Sequence, residues 1–299
     1  MSKRIKKFKN ELKKGKSFIL DGAMGTEISA CGVKTTLPLW SAGSLLTNPQ
    51  IVKQIHKDYI KAGARIIITN TFRTTKRTFR KRNIVDKAKQ ATLLACKLAK
   101  DAVLENGQDV LVAGSMAPLE DCYSPDLVPS DQELKKEHLE YAENLKEGGV
   151  DFLLGETMIS LREIKAVCEA AKKVGLPLAV SFCCGKDGNL LSGEKLEEVV
   201  KFVEKYNPLF LSLNCMSLNL ISKVLIKLRK ITPLSIAVYA QGDGEPSDDE
   251  GWKFGGNNRP EIYSKYTQEW LKSGAQIIGG CCGTNPEYIK NLGSFVPGG

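Results

Sequence analysis

The feature that most constrains the fold is a set of eight short, almost uninterrupted apolar runs. They are SFIL (17–20), ARIIIT (64–69), DVLVAGS (109–115), VDFLLGE (150–156), LPLAVSF (176–182), LFLSLN (209–214), LSIAVY (234–239) and AQIIGG (275–280). A strand with one wet face alternates apolar and polar residues, and these runs do not. They read instead as parallel strands covered on both faces. Amphipathic stretches separate them. Asn48-Pro49 opens a helix whose stripe is Ile51, Val52, Ile55 and Tyr59 and whose stop is Gly63. Ser130 and Glu133 have the spacing of a capping box, and Gly148-Gly149 closes that helix. Residues 84–105, 160–174, 192–206, 218–230 and 260–274 read as helices in the same way. Eight strands with intervening helices in 299 residues predict an α/β protein, a single (β/α)8 TIM barrel over 17–299 behind a basic segment, 1–16. A doubly wound open sheet is the rival arrangement.

Composition removes other classes. Hydrophobic residues make up 42% and charged residues 26%, as in an ordinary globular protein and unlike a disordered, collagen-like or disulfide-stapled chain. No apolar run approaches the ~18 residues of a membrane span. The N-terminus is basic without an apolar stretch behind it, which is not a secretory signal. The nine cysteines are therefore expected to be reduced thiols or metal ligands in a cytoplasmic protein. The net charge of +9 is uneven, with +7 of it in residues 1–16. A second basic cluster comprises Arg73, Lys76, Arg77, Arg80, Lys81 and Arg82. No aromatic residues alternate with these charges in a nucleic-acid-binding pattern, so solvated faces are the simpler reading.

A barrel of this kind carries its active site at the C-terminal ends of the strands. Polar, thiol and glycine residues concentrate there: Asp21-Gly22-Ala23-Met24-Gly25-Thr26, Asn70-Thr71-Phe72, Gly155-Glu156-Thr157, Asn214-Cys215 and Gly279-Gly280-Cys281-Cys282-Gly283. Cys281 and Cys282 are adjacent and flanked by glycines that permit a sharp turn. With Cys215 from another strand end they make three thiolates, a recognised zinc set with one position open to substrate. The competing reading is three small buried hydrophobes. Cys183-Cys184 has glycine on one side only and reads as packing. An open zinc tris-thiolate would hold a substrate thiol as thiolate without a general base. His56 and His138 fall within helices and are expected to be surface or packing residues, which argues against a histidine-based hydrolase. The DGAMGTE turn lacks the features of a nucleotide-phosphate loop. Its backbone amides would suit a carboxylate. Asp21 and Glu156, facing each other at the rim, would suit an ammonium group, and an ordinary strand-ending turn is the alternative.

Together, DGAMGTE (21–27), PLWSAGSLLTNPQIV (38–52), NTF (70–72), GETM (155–158), NC (214–215) and GGCCGTNP (279–286) resemble the homocysteine S-methyltransferase family. That family includes S-methylmethionine-dependent enzymes, betaine–homocysteine methyltransferase and the homocysteine domain of cobalamin-dependent methionine synthase. The resemblance runs along nearly the whole chain. It implies a (β/α)8 barrel with zinc on Cys215, Cys281 and Cys282. It places Asp21 and Glu156 on the homocysteine amino group, and the backbone of Gly22, Ala23 and Met24 on its carboxylate with Thr71 nearby. Asn214 would support the metal site from behind. The activity implied is zinc-dependent methyl transfer to L-homocysteine, giving methionine. WSAGSLLTNP looks most like the subgroup using S-methylmethionine or S-adenosylmethionine. Betaine, or a separate methyl-corrinoid protein docking on the Arg73–Arg82 face, is the alternative donor. A non-catalytic zinc- or thiol-binding protein is the alternative of a different class.

Three segments depart from the family pattern. The third strand ends GSMAP, Arg73 follows NTF where relatives often place a neutral residue, and 240–256 is a long acidic segment. An inward Arg73 would oppose a cationic donor. Residues 240–256 would make a substrate lid or a solvated loop, with Trp252 and Phe254 as candidates for a donor pocket.

Overall fold

The computed structural model describes residues 2–107, 109–247, 251–255 and 259–296. Eight parallel strands form the barrel: β1 (Phe18–Ile19), β2 (Ile66–Ile68), β3 (Leu111–Met116), β4 (Phe152–Met158), β5 (Leu178–Phe182), β6 (Leu211–Asn214), β7 (Ile236–Ala240) and, last in the chain, β10 (Ala275–Gly280). The hydrogen-bonded order is β1-β10-β7-β6-β5-β4-β3-β2. A parallel bridge between Leu20 and Ile66 joins the two ends, so the eight apolar runs close into a TIM barrel rather than an open sheet. Between β7 and β10 a short antiparallel hairpin, β8 (Glu245–Ser247) with β9 (Gly251–Lys253), interrupts the alternation. The sequence pattern does not anticipate it.

Helices cover the outside. The chain supplies α1 (Lys3–Lys13), α2 (Gly25–Ala30), α3 (Ser44–Thr47), α4 (Pro49–Lys61), α5 (Lys76–Arg80) and α6 (Ala88–Asn106). It continues with α7 (Asp131–Gly148), α8 (Leu161–Val174), α9 (Leu196–Glu204), α10 (Leu218–Ile231), α11 (Pro260–Lys272) and α12 (Pro286–Leu292). The capping box of Ser130 and Glu133 forms at the start of α7, and Gly149 takes the left-handed conformation at its end. Pro49 occupies the first turn of α4, although the Asn48 side chain makes no cap hydrogen bond. The expected helix 192–206 is shorter, because Leu190–Glu194 forms a bonded turn before α9 begins.

The basic N-terminal segment does more than present charge. In α1 the lysines are mostly exposed, but Ile5, Phe8 and Leu12 are buried. They join Phe18, Phe152 and Phe210 in the cluster at the N-terminal end of the barrel strands. Phe8 meets Phe18 edge-on at 4.8 Å. The helix therefore closes the barrel floor and leaves its opposite rim open.

Candidate active site

The strand ends surround a cavity of about 230 Å³. Its wall includes Gly22, Ala23, Met24, Trp40, Phe72, Arg73, Tyr123, Glu156, Thr157, Cys215, Trp252, Cys281 and Cys282. The three cysteines converge as their sequence context suggested, with their sulfur atoms all within 4.8 Å of one another. The sulfurs of Cys215 and Cys281 are 3.2 Å apart. Four-coordinate zinc with Zn–S of about 2.3 Å requires sulfurs roughly 3.7 Å apart, so the cluster has the right dimensions. Its chemistry fits as well. Hydrogen bonding to Cys281, the like charge of its neighbours and burial raise the Cys215 thiol far above the ordinary range. Three such thiols ionise together only with a cation among them.

Backbone geometry aims these ligands. Cys215 has φ 56° and Thr157, at the end of β4, also has φ 56°. Left-handed backbone is costly for a β-branched residue and persists only where the surroundings enforce it. Asn214 does so. Its Oδ1 accepts from the Thr157 N–H at 3.2 Å and the Ser181 hydroxyl at 2.6 Å, and its Nδ2 donates to Thr157 Oγ1 at 2.8 Å. Asn214 is fully buried behind Cys215 and does not line the cavity. Gly283 has φ 79° and lies against the Asp243 backbone, so the turn carrying Cys281 and Cys282 has no room for a side chain there.

The two carboxylates differ in setting. Glu156 lines the cavity, and Ser115 donates to it at 2.6 Å. Burial outweighs that bond and pushes its carboxyl up to about 7. Asp21 lies just behind the wall. Its Oδ2 accepts from the Ile68 N–H at 2.8 Å, while Oδ1 is buried without a partner. Burial holds the Asp21 carboxyl well above its usual range, and the charge of Glu156 raises it further. An orphaned carboxylate oxygen is expensive in a dry site, which a cationic ligand would relieve.

Other residues build the rim. Tyr59 and Thr284 fix the 22–24 turn: the Tyr59 hydroxyl donates to the Ala23 carbonyl at 2.7 Å, and the Ala23 N–H donates to Thr284 Oγ1 at 3.2 Å. A Cβ at Gly22 would come within 2.8 Å of Tyr59. Thr71 is buried and donates to the Ser115 carbonyl, and Thr69 takes the place on the cavity wall. Tyr123, from the loop after β3, was not singled out by sequence. Its hydroxyl lies 3.2 Å from Cys215 Sγ and 3.2 Å from the Gln241 amide that donates to it. No short motif marks it, because a long loop carries it across the barrel mouth.

The histidines are both fully buried in helices, away from this rim. His138 pairs with Glu163 at 2.9 Å. Cys183 and Cys184 are buried packing residues. In the 240–256 segment, Trp252 is buried on the cavity wall and donates to the Asp243 carbonyl at 2.9 Å. Phe254 does not line the cavity and is 48% exposed. Asp248, Asp249, Glu250 and residues 256–258 lie outside the described residues.

Comparison with known proteins decides the family. The homocysteine S-methyltransferase family model matches residues 18–296. The chain belongs to the homocysteine S-methyltransferase family. It is 32% identical to the homocysteine S-methyltransferase of Escherichia coli, over 92% of this chain and 93% of that protein. It is 30% identical to homocysteine S-methyltransferase YbgG of Bacillus subtilis, over 93% and 94% of the two chains. A selenocysteine methyltransferase of Astragalus bisulcatus is 28% identical over 95% of this chain and 94% of its own. The metallated form of the E. coli homocysteine methyltransferase MmuM superposes with a TM-score of 0.84 at 30% identity, covering 96% of this chain and 98% of that one. As a member of this family the protein is a methyltransferase, and its three-cysteine cluster is one that can hold a metal.

Proposed function

We propose that the protein transfers a methyl group to the thiol of L-homocysteine, giving methionine. Zinc on Cys215, Cys281 and Cys282 would be the cofactor, and S-methylmethionine or S-adenosylmethionine the donor. The observation that carries the reading is the gathering of three thiols on the wall of a cavity that also presents Glu156 and the 22–24 turn. Bound there, zinc supplies the Lewis acidity that lowers the pKa of an incoming thiol.

The chain's own residues supply the rest. Glu156 and the unpartnered Oδ1 of Asp21 take the homocysteine ammonium. Gly22 and Met24 offer backbone toward its carboxylate, while the Ala23 N–H is already held by Thr284. Thr71 supports that pocket from behind the wall through Ser115. Asn214 keeps Thr157 in its left-handed geometry, and the Cys215 N–H is held by the Tyr239 carbonyl. Trp40, Phe72, Tyr123 and Trp252 surround the rest of the cavity. Aromatic faces attract a sulfonium centre by cation–π interaction. The thiol sulfur, its proton lost, forms a bond to the methyl carbon as the carbon–sulfur bond of the donor breaks; the bonding pair stays on the donor sulfur, and the donor leaves as a neutral thioether. Holding both partners in line supplies much of the acceleration.

The basic Arg73–Arg82 face gives little support to a corrinoid partner. Arg77 is paired with Glu120, Glu133 and Glu137, Lys76 with Glu140 and Lys81 with Glu120. Those charges bind α5 to α7 and its preceding loop.

The decisive experiment measures methionine formed from homocysteine and S-methylmethionine by the zinc-loaded protein, with metal assayed on the same sample. We expect turnover and about one zinc per chain, and loss of both in Cys215→Ala. Full activity of Cys215→Ala without zinc would overturn the mechanism. Zinc binding without affinity for homocysteine would point to a non-catalytic metal-binding protein.

A further inference from the structure

Arg73 is the one cation on the cavity wall among the described residues. It follows Phe72 in the loop after β2, and its guanidinium carbon lies 5.6 Å from the Phe72 ring centroid. Among the described residues it makes a single long hydrogen bond, from Nη1 to the Glu120 carbonyl at 3.4 Å. No described carboxylate forms an ion pair with it, whereas Arg77, four residues on, is held by three. The carboxylate on the wall nearest in sequence, Asp121, accepts the Tyr123 N–H at 2.6 Å. A guanidinium offers five N–H donors in a planar fork matched to a carboxylate, so Arg73 faces the cavity with most of that capacity unused.

This placement conflicts with a donor that is only a cation. A bare sulfonium gains from the rings of Phe72, Trp40 and Trp252 but is repelled by a guanidinium beside them. A donor with a carboxylate at the far end from its methyl-bearing centre satisfies both features: the aromatic faces take the sulfonium and the fork takes the carboxylate. In the reading above the acceptor's ammonium has its own carboxylates, Glu156 on the wall and Asp21 behind it, and leaves Arg73 free for the donor.

We propose that Arg73 binds the carboxylate of the methyl donor and so restricts the enzyme to donors that carry one. The inference rests on the methyl-transfer reading above and deepens it. Amino-acid sulfoniums and betaines share the required carboxylate, and their relative turnover separates them.

The test compares S-methylmethionine with trimethylsulfonium, which has a methyl-bearing sulfonium and no carboxylate. Both are assayed with homocysteine on the zinc-loaded wild-type protein, Arg73→Gln and Arg73→Lys. A charge-assisted bidentate contact corresponds to about ten- to a hundredfold in affinity. We expect Arg73→Gln to raise KM for S-methylmethionine by that factor, with the loss in KM rather than kcat. KM for homocysteine should not follow it, trimethylsulfonium should show no comparable loss, and Arg73→Lys should recover part of the effect. An unchanged preference between the two donors in Arg73→Gln would overturn the proposal, as would an equal loss with both. If the wild-type protein forms no methionine from either, the sulfonium-donor reading fails on its own. Arg73 is then decided by titrating S-methylmethionine into homocysteine-loaded protein: weaker binding in Arg73→Gln sustains the assignment, and equal or absent binding rejects it.

Discussion

At the scale of single residues, Asn214 and Glu156 show how burial sets chemistry at the rim. Asn214 spends its amide on Thr157 and Ser181, and so holds the left-handed Thr157 beside the chain that carries Cys215. Asn214→Ala should weaken metal binding roughly 10–100-fold, the usual cost of losing a ligand's support, while Cys215 remains in place. Competition with a chromophoric chelator would measure this, and an unchanged affinity would remove Asn214 from the site. Glu156 titrates at about 7 instead of the ordinary 4.5 because it is buried. The folded protein holds that proton more tightly than the unfolded chain. Its stabilising contribution is thus complete below about pH 4.5 and is lost as pH rises through about 7. Glu156→Gln should flatten this part of the stability–pH curve, by an amount on the order of 2–3 kcal/mol between pH 4.5 and 8. The homocysteine ammonium favours the ionised form. Binding near pH 6 should therefore release a proton from Glu156 in addition to that of the thiol, detectable by calorimetry in buffers of different ionisation heat, and Glu156→Gln should lower the number released.

At the scale of elements, the two ends of the barrel have separate duties. Helix α1 plugs the floor with Ile5, Phe8 and Leu12, while every candidate site residue lies at the opposite end. Phe8→Ala should cost about 3–5 kcal/mol, the range for emptying a buried aromatic site. Methionine formation at a permissive temperature should persist. A fall in activity without a fall in melting temperature would contradict that division. The amphipathic character of α1 is present in the sequence, since Ile5, Phe8 and Leu12 follow helical spacing, but these three apolar residues among the eight cations of residues 1–16 do not by themselves say which surface they cover. The β8–β9 hairpin was not readable. Glu245–Ser247 and Gly251–Lys253 are three-residue strands too short for a periodic signal. What fixes them is Trp252, buried against the cavity and bonded to the Asp243 carbonyl.

At the scale of the whole molecule, the three-cysteine cluster is small beside the apolar core that the barrel buries. The strands and their covering helices share one large apolar cluster, a second fills the barrel interior, and Cys281 packs against the second. Chelation should therefore lower the melting temperature through the lost binding free energy. Far-UV circular dichroism at 25 °C should remain that of a folded barrel. Collapse of the spectrum on chelation would mean that the cysteines hold the fold together, as in a small zinc domain.

Local pattern was enough to give the barrel, its strand ends and the three cysteines of the candidate site. Those depend on local pattern: continuous apolar runs, capping residues and the glycines beside the Cys281-Cys282 doublet. The tertiary structure decided which neighbours meet. It put Thr69 rather than Thr71 on the wall, hid Asp21 behind Gly22, brought Tyr123 over Cys215 and turned Arg73 inward while pairing Arg77 outward. The physical reason is that these contacts join segments dozens to hundreds of residues apart. Their geometry is set by how the closed barrel brings its strand ends and loops together, and no local pattern encodes it.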